Sequence, residues 1–395
     1  MTNINNLGNI LNKENKENET PDFSNVTYHI MEQVDQVVSL EKFRDSVFVN
    51  REEERRYILD HLSFVPHEIL FIYGPKSSGK TTMMDFIYEN EMDDIYETRK
   101  INLRGLLLSN YESFINIFFK DVLIKIKSDE VEEKRAYKIP FFQLDIKIKK
   151  KLEQKELDPF EIMEYELMKI KQSGKKPVII IDEIQKLSDI YFEKERKLIN
   201  EFFNFFIRIT KELHLAHVII LSSDSYFLHS LWDEANLSAT SEAYKINHLG
   251  YAEVVTWLHS KKFNDSEIEY IWNNIGGASH QITRIIHAKE SGRSIEKKVN
   301  FIIDSFLGDI RKTYYQKIID HDKASFLSVL KEMSENGSAQ YCGQISIEIL
   351  EIMMHQDLWF YDLNMNFIEP NSPVIIFSIK KFLEELSLLS KDPLI

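Results

Sequence analysis

A chain of 395 residues is too long for one ordinary core and predicts two or three domains. Its 43% hydrophobic content is that of a globular protein, and charge breaks its apolar runs before the roughly 18 residues that a membrane helix needs, which argues against a membrane protein. A formal net charge of −14 argues against a general nucleic-acid coat, because phosphate binding needs clustered Lys and Arg; only a local basic patch stays open.

Residues 1–40 begin with a polar stretch that has acid, no Arg and no long apolar core. They read as a disordered or extended segment, not as a secretory signal or transit peptide. The single cysteine, Cys342, cannot close an internal disulfide and reads as a small, semi-buried residue. This fits a reducing cytoplasm, the expected location.

The first strong pattern is "HEILFIYGPKSSGKTT". Ile69 to Tyr73 is an apolar run, as in a parallel strand covered on both faces. Gly74-Pro75-Lys76-Ser77-Ser78-Gly79-Lys80-Thr81 then fits the phosphate-loop pattern G-x-x-x-x-G-K-[ST] at every fixed position. Glycines permit a tight loop with inward N–H groups, and the helix from Thr81 onward adds its N-terminal dipole. Lys80 is expected to reach the β- and γ-phosphates of ATP, and Thr81 to ligate Mg²⁺. Lys76 reads as a solvated member of the loop and Thr82 as packing at the helix start.

A second strand is expected at "RKINLRG", then a helix over "NYESFINIFFKDVLIKI". The alternation in "DIKIKKK" reads as an exposed edge strand with protective lysines. A helix starts near Asp158-Pro159. "KKPVIIIDEIQKL" supplies a buried strand ending in Asp182 and Glu183, expected beside the phosphate-loop strand. Asp182 is assigned to Mg²⁺ through water, and Glu183 to the attacking water. Another buried strand, Val218 to Leu221, ends in two serines. Ser223 is the first candidate to touch both the γ-phosphate and the water, with Ser222 second. His214 and His217 flank this strand and receive no metal role.

Short helices follow. Asn264-Asp265-Ser266 reads as a cap, Gly276-Gly277 as a helix end, and Gly308 as a weak point in the next helix. From about Lys312, two helices, a hairpin turning at Leu363–Asn366 and a last helix suggest a winged helix. From Arg311 on, eight Lys and Arg stand against twelve Asp and Glu, and the helix that would enter a DNA groove carries Glu348 and Glu351. The charge therefore favours a protein partner over DNA.

Taken in order, "VFVNREEERRYILDHL", the phosphate loop, "VIIIDEIQKL", "HLAHVIILSSDS", "YKINHLGYAEVVTWL" and "IWNNIGGASHQITRII" resemble the archaeal-type ATPases of the AAA+/STAND group of P-loop NTPases, which are distantly similar to the Orc/Cdc6 initiators. The resemblance spans roughly residues 40–385. It implies an α/β core, a parallel sheet flanked by helices, over 41–235, a helical lid over 236–310 and a winged-helix-like domain over 311–395. It places Phe48, Arg51 and Glu52 near the adenine end of the nucleotide. It matches Gly276 and Gly277 to the lid signature G-G-x-P, with Ser279 where Pro is usual, and offers Arg284 as the lid's second sensor. Arg196 or Arg208 would be a finger acting on a neighbouring copy in a homo-oligomer. The implied function is an ATP- and Mg²⁺-dependent ATPase that switches a protein partner. A DNA-binding initiator or repair ATPase, and a scaffold that binds ATP with little turnover, are the alternatives.

Overall fold

The structure, a computed structural model, describes residues 40–43, 46–49, 51–121, 142–191, 196–234 and 237–389. The expected N-terminal segment lies outside the described residues except for Leu40. A hairpin, β1 (Leu40–Phe43) with β2 (Ser46–Val49), leads into α1 (Glu52–Ser63), β3 (Ile69–Tyr73), α2 (Lys80–Asn90) and β4 (Tyr96–Asn102). Helix α3 (Tyr111–Phe118) runs into β5 (Phe119–Asp121), which pairs with β6 (Phe142–Leu144). Then come α4 (Ile146–Glu153), α5 (Pro159–Gln172), β7 (Lys176–Asp182), α6 (Leu198–Ile207), β8 (His217–Ser222), α7 (Ser225–Glu234) and β9 (Ser241–Lys245).

Five of these strands form a parallel sheet in the order β4-β7-β8-β3-β9. Every residue of β3 and β8 is buried, as is β7 beyond Lys176. Both faces are covered, so the apolar runs need no alternation. Ile58, Leu62, Met83 and Ile87 pack on one face with Phe43 and Phe48 of the hairpin. Phe114, Phe118, Phe202, Phe203 and Phe206 pack on the other. The acidic strand β7 is not the neighbour of β3, as expected from sequence; β8 lies between them. The "DIKIKKK" stretch is a helix rather than an edge strand. Asp145 caps α4 by accepting from the Lys147 N–H at 2.8 Å, and Leu152 is buried, so cap and core override the local alternation.

The rest of the chain is largely helical: α8 (Tyr251–Ser260), α9 (Asp265–Ile275), α10 (Ser279–Glu290), α11 (Ile295–Gln316) and α12 (Lys323–Asn336). Next come β10 (Ala339–Gln340), α13 (Ile347–His355), β11 (Trp359–Asp362), β12 (Phe367–Pro370) and α14 (Val374–Leu389). The three short strands form an antiparallel sheet, β10-β12-β11. One continuous apolar core joins Val254 and Ile282 to Phe326, Trp359 and Phe382. The division expected at 310/311 falls inside α11. Cys342 is exposed rather than semi-buried.

Gly277 does more than end a helix. A Cβ there would lie 1.7 Å from the Leu249 carbonyl oxygen, whereas one on Gly308 would meet nothing within 4 Å. Gly277→Ala should therefore lower stability by about 1–3 kcal/mol through overpacking. Gly308→Ala, inside α11, should raise it by about 0.5–1 kcal/mol. Urea denaturation midpoints of the two variants check both signs.

Candidate functional site

The C-terminal ends of β3, β7 and β8 point at one region, and the phosphate loop, Asp182, Glu183 and Ser223 meet there. Gly74 and Gly79 have φ of 152° and 94°, so the loop between them turns in ways other residues resist. Ser77 also has positive φ, 62°. Lys80 is buried and donates to the carbonyls of Gly74 (2.8 Å) and Pro75 (2.9 Å) and to Ser78 Oγ (3.3 Å). Burial pushes its ammonium pKa down to about 7, against the pull of Asp182 and Glu183.

Asp182 ends β7 buried. Its Oδ2 accepts from Thr81 Oγ1 at 2.8 Å and from Asn102 Nδ2 at 2.8 Å. Burial raises its pKa, opposed by the Thr81 hydrogen bond and nearby cations. Glu183 follows with φ 62°, a strained conformation for a non-glycine residue. Its carboxylate is held between the Arg104 guanidinium and Gln185 Nε2, the latter at 2.6 Å. Ser222 Oγ donates to Gln185 Oε1 at 3.2 Å. Ser223 lines a cavity of about 450 Å³ with Arg104, Glu183, Gln185 and Asp357.

A second cavity, about 760 Å³, opens on the other side of the loop. That volume suits a small ligand. Phe48, Val49, Leu249, Trp257 and Ile286 supply apolar walls, and Arg51, Ser78, Gly79 and Thr82 the loop-side rim. Thr82 thus lines the cavity instead of packing. Arg51, buried with φ 44°, donates to Ser78 O at 2.6 Å and Asn247 O at 2.8 Å. Ser279 Oγ donates to Ser77 O at 2.7 Å, a contact proline could not make.

Arg284 is not brought into this group. Ser279, Thr283, Ile286, His287 and Glu290 of α10 line the cavity, and residue 284 lies on another face of that helix, near Lys298. Arg196 pairs with Glu201 and Arg208 with Glu164, both on the surface.

Residues 48–285 match the family described as an ATPase domain predominantly from Archaea. The chain belongs to this family. Two ATP-binding proteins of Methanocaldococcus jannaschii, MJ1659 and MJ1076, are each 31% identical to it; the matches cover 86% of this chain and 98% and 99% of theirs. In fold this ATPase is similar to the Walker-type ATPase PABY2304 of Pyrococcus abyssi, with TM-score 0.55 and 15% identity over 84% of this chain and 95% of that one.

Several residues around the phosphate loop have no motif to announce them. Asn102 and Arg104 follow from the same rule that found Asp182, since they lie at and just past the C-terminal end of β4. Asp357 and Asn371 carry no such signal. Lys76, expected in solvent, forms an ion pair with Asp357, and its backbone N–H donates to Asn371 Oδ1 at 2.9 Å. His248 Nε2 lies 3.0 Å from Asn371 O. Burial lowers the His248 pKa to about 4. Since the unfolded value is near 6.5, the neutral ring favours folding above that pH, and this contribution is lost as pH falls from 6.5 towards 4. His248→Gln should flatten the acid limb of the stability profile in that window, as read from urea midpoints of variant against wild type.

Proposed function

We propose that this archaeal-type ATPase is a Mg²⁺-dependent, nucleotide-driven switch acting on a protein partner. The observation that carries the reading is the grip of the C-terminal unit on the phosphate loop. Asp357 and Asn371 hold Lys76, while Asp357, His355 and Trp359 wall the cavity that contains Glu183. Binding of a triphosphate and release of this unit draw on the same loop, so each alters the other.

The hydroxyl and carboxylate of Thr81 and Asp182 already lie at 2.8 Å, an all-oxygen pair that suits a hard cation such as Mg²⁺. When bound, the ion would screen phosphate charge. The chain's own residues do the rest. Backbone N–H groups of the loop and the Lys80 ammonium bind phosphate oxygens, exchanging the carbonyls of Gly74 and Pro75 for them. Glu183 leaves Arg104 and takes a proton from the water that Ser223 orients; that water's oxygen bonds the γ-phosphorus as the bond to the β–γ bridging oxygen breaks, releasing ADP and phosphate. The adenine base of the nucleotide sits in the other cavity, walled by Val49, Leu249 and Trp257.

The charge of the C-terminal unit supports a protein partner over DNA. Glu351 of α13 accepts from Tyr226 Oη of α7 at 2.6 Å, so the helix that would enter a groove is turned onto its own chain. The three-strand, three-helix pattern of β10–β12 and α12–α14 supports a winged-helix reading of this unit.

The test is phosphate release by three proteins. Glu183→Gln should keep ATP binding and lose about 10²–10⁴-fold in turnover. Asp357→Ala with Asn371→Ala should exchange nucleotide faster than wild type. Equal turnover in wild type and Glu183→Gln would remove the catalytic role. Unchanged exchange in the double variant would remove the switch and favour a scaffold that holds ATP structurally.

A further inference from the structure

The opposite end of the sheet, remote from the phosphate loop, gathers a second group of chemically active side chains. Parallel register sets Ile69 against Val218 and Leu70 against Glu242. Side chains alternate along a strand, so Glu68, Leu70, His217 and Glu242 share one face of the sheet. Helix α1 packs on that face through Ile58 and Leu62, and His61 comes down from its last turn.

Single ligand atoms of His61, Glu68 and Glu242 lie within 4.8 Å of one another. His61 is buried, and both carboxylates are partly buried. Two carboxylates this close repel, and among the described residues neither has a Lys or Arg ion pair. Glu68 pairs with His67 Nε2 at 2.9 Å and also lies within hydrogen-bond reach of Glu242. Beside them stands His217, 1% exposed, its ring centroid 5.8 Å from that of His61. Neither buried nitrogen of His217 finds a well-aligned hydrogen-bond partner. A buried polar atom without a partner is costly and calls for a missing group.

We propose that His61, Glu68 and Glu242 hold a divalent transition-metal ion of the zinc class, which staples α1 to the starts of β3 and β9. Imidazole nitrogen disfavours Mg²⁺ and Ca²⁺, and the absence of thiolate disfavours copper(I) and iron–sulfur chemistry. Three protein ligands leave one position of a tetrahedron for water. That water can bond a ring nitrogen of His217, whose one backbone neighbour, Phe64, is poorly aligned, an outer-shell role of the usual kind. The ion neutralises the carboxylate pair and ties the segment before the phosphate loop to the far edge of the sheet. This site is independent of the nucleotide reading and stands or falls without it.

The test uses untagged full-length protein, stripped with chelator and titrated with Zn²⁺ in excess Mg²⁺, in wild type and in Asp182→Asn. One zinc per chain should bind in both. His61→Gln and Glu242→Gln should lose it, with their fold checked by circular dichroism. Zinc should raise the melting temperature of wild type and leave those of the two variants unchanged. Cobalt(II) should give wild type the visible absorption of a low-coordinate site, and Glu68→Gln should change it, which serves if His61→Gln fails to fold. Zinc uptake unaltered by His61→Gln, uptake lost in Asp182→Asn alone, or no uptake by wild type would overturn the proposal.

Discussion

The loop between Tyr73 and Lys80 belongs to no strand or helix, and its shape is held by side chains that arrive from elsewhere in the chain. Arg51 takes the Ser78 carbonyl from before α1, and Ser279 takes the Ser77 carbonyl from the start of α10. Asn371 takes the Lys76 N–H from beyond β12, and Lys80 folds back on Gly74 and Pro75 from inside. A loop of this kind costs backbone entropy to order. Residues with strained backbone, Ser77 in the loop and Arg51 and Glu183 outside it, persist only where the surroundings over-determine them. The cross-links do this, and they bring α1, α10 and the segment after β12 to the same loop.

The same region holds charge out of water. Lys80, Asp182 and Glu183 are all buried, and burial alone pushes the lysine pKa down and that of Asp182 up. Such groups are tolerated because each is hydrogen-bonded. Asp182 has Thr81 and Asn102; Glu183 has Gln185 and Arg104. Arg104 is 60% exposed, so its hold on Glu183 is softened by solvent and is the partner most readily exchanged. The site is poised for a polyanion, since phosphate oxygens satisfy the lysine and the loop N–H groups better than the chain's own carbonyls can.

Much of this was legible in the residues. The run Ile69–Tyr73 followed by G-x-x-x-x-G-K-T, and the run Val178–Ile181 followed by Asp182 and Glu183, are local patterns whose physics is local: apolar strands buried on both faces, with glycines where the chain must turn. Strand order is not local, and so the insertion of β8 between β3 and β7 escaped. The "DIKIKKK" stretch shows the reverse failure, where an alternation of two residues was outweighed by one capping aspartate and one buried leucine. Asp357 and Asn371 lay beyond reach because their meaning comes from packing across nearly 300 residues of sequence.

The division of the chain at its C-terminal side follows from the core rather than from motifs. Helices α8 to α11 and the β10–β12 unit share one apolar interior, and α11 runs unbroken through the boundary that the family resemblance implied. Close-packed interiors transmit displacement instead of absorbing it. Ser279 and Asn371, which hold the loop from two sides, are thus mounted on one body. The helices between them meet in the core around Ile282, Ile303 and Ile379, which links the two contacts through packing. On the proposed switch, a phosphate that draws on Ser77 would act on the three-stranded unit as well as on α10, since both hold the same loop.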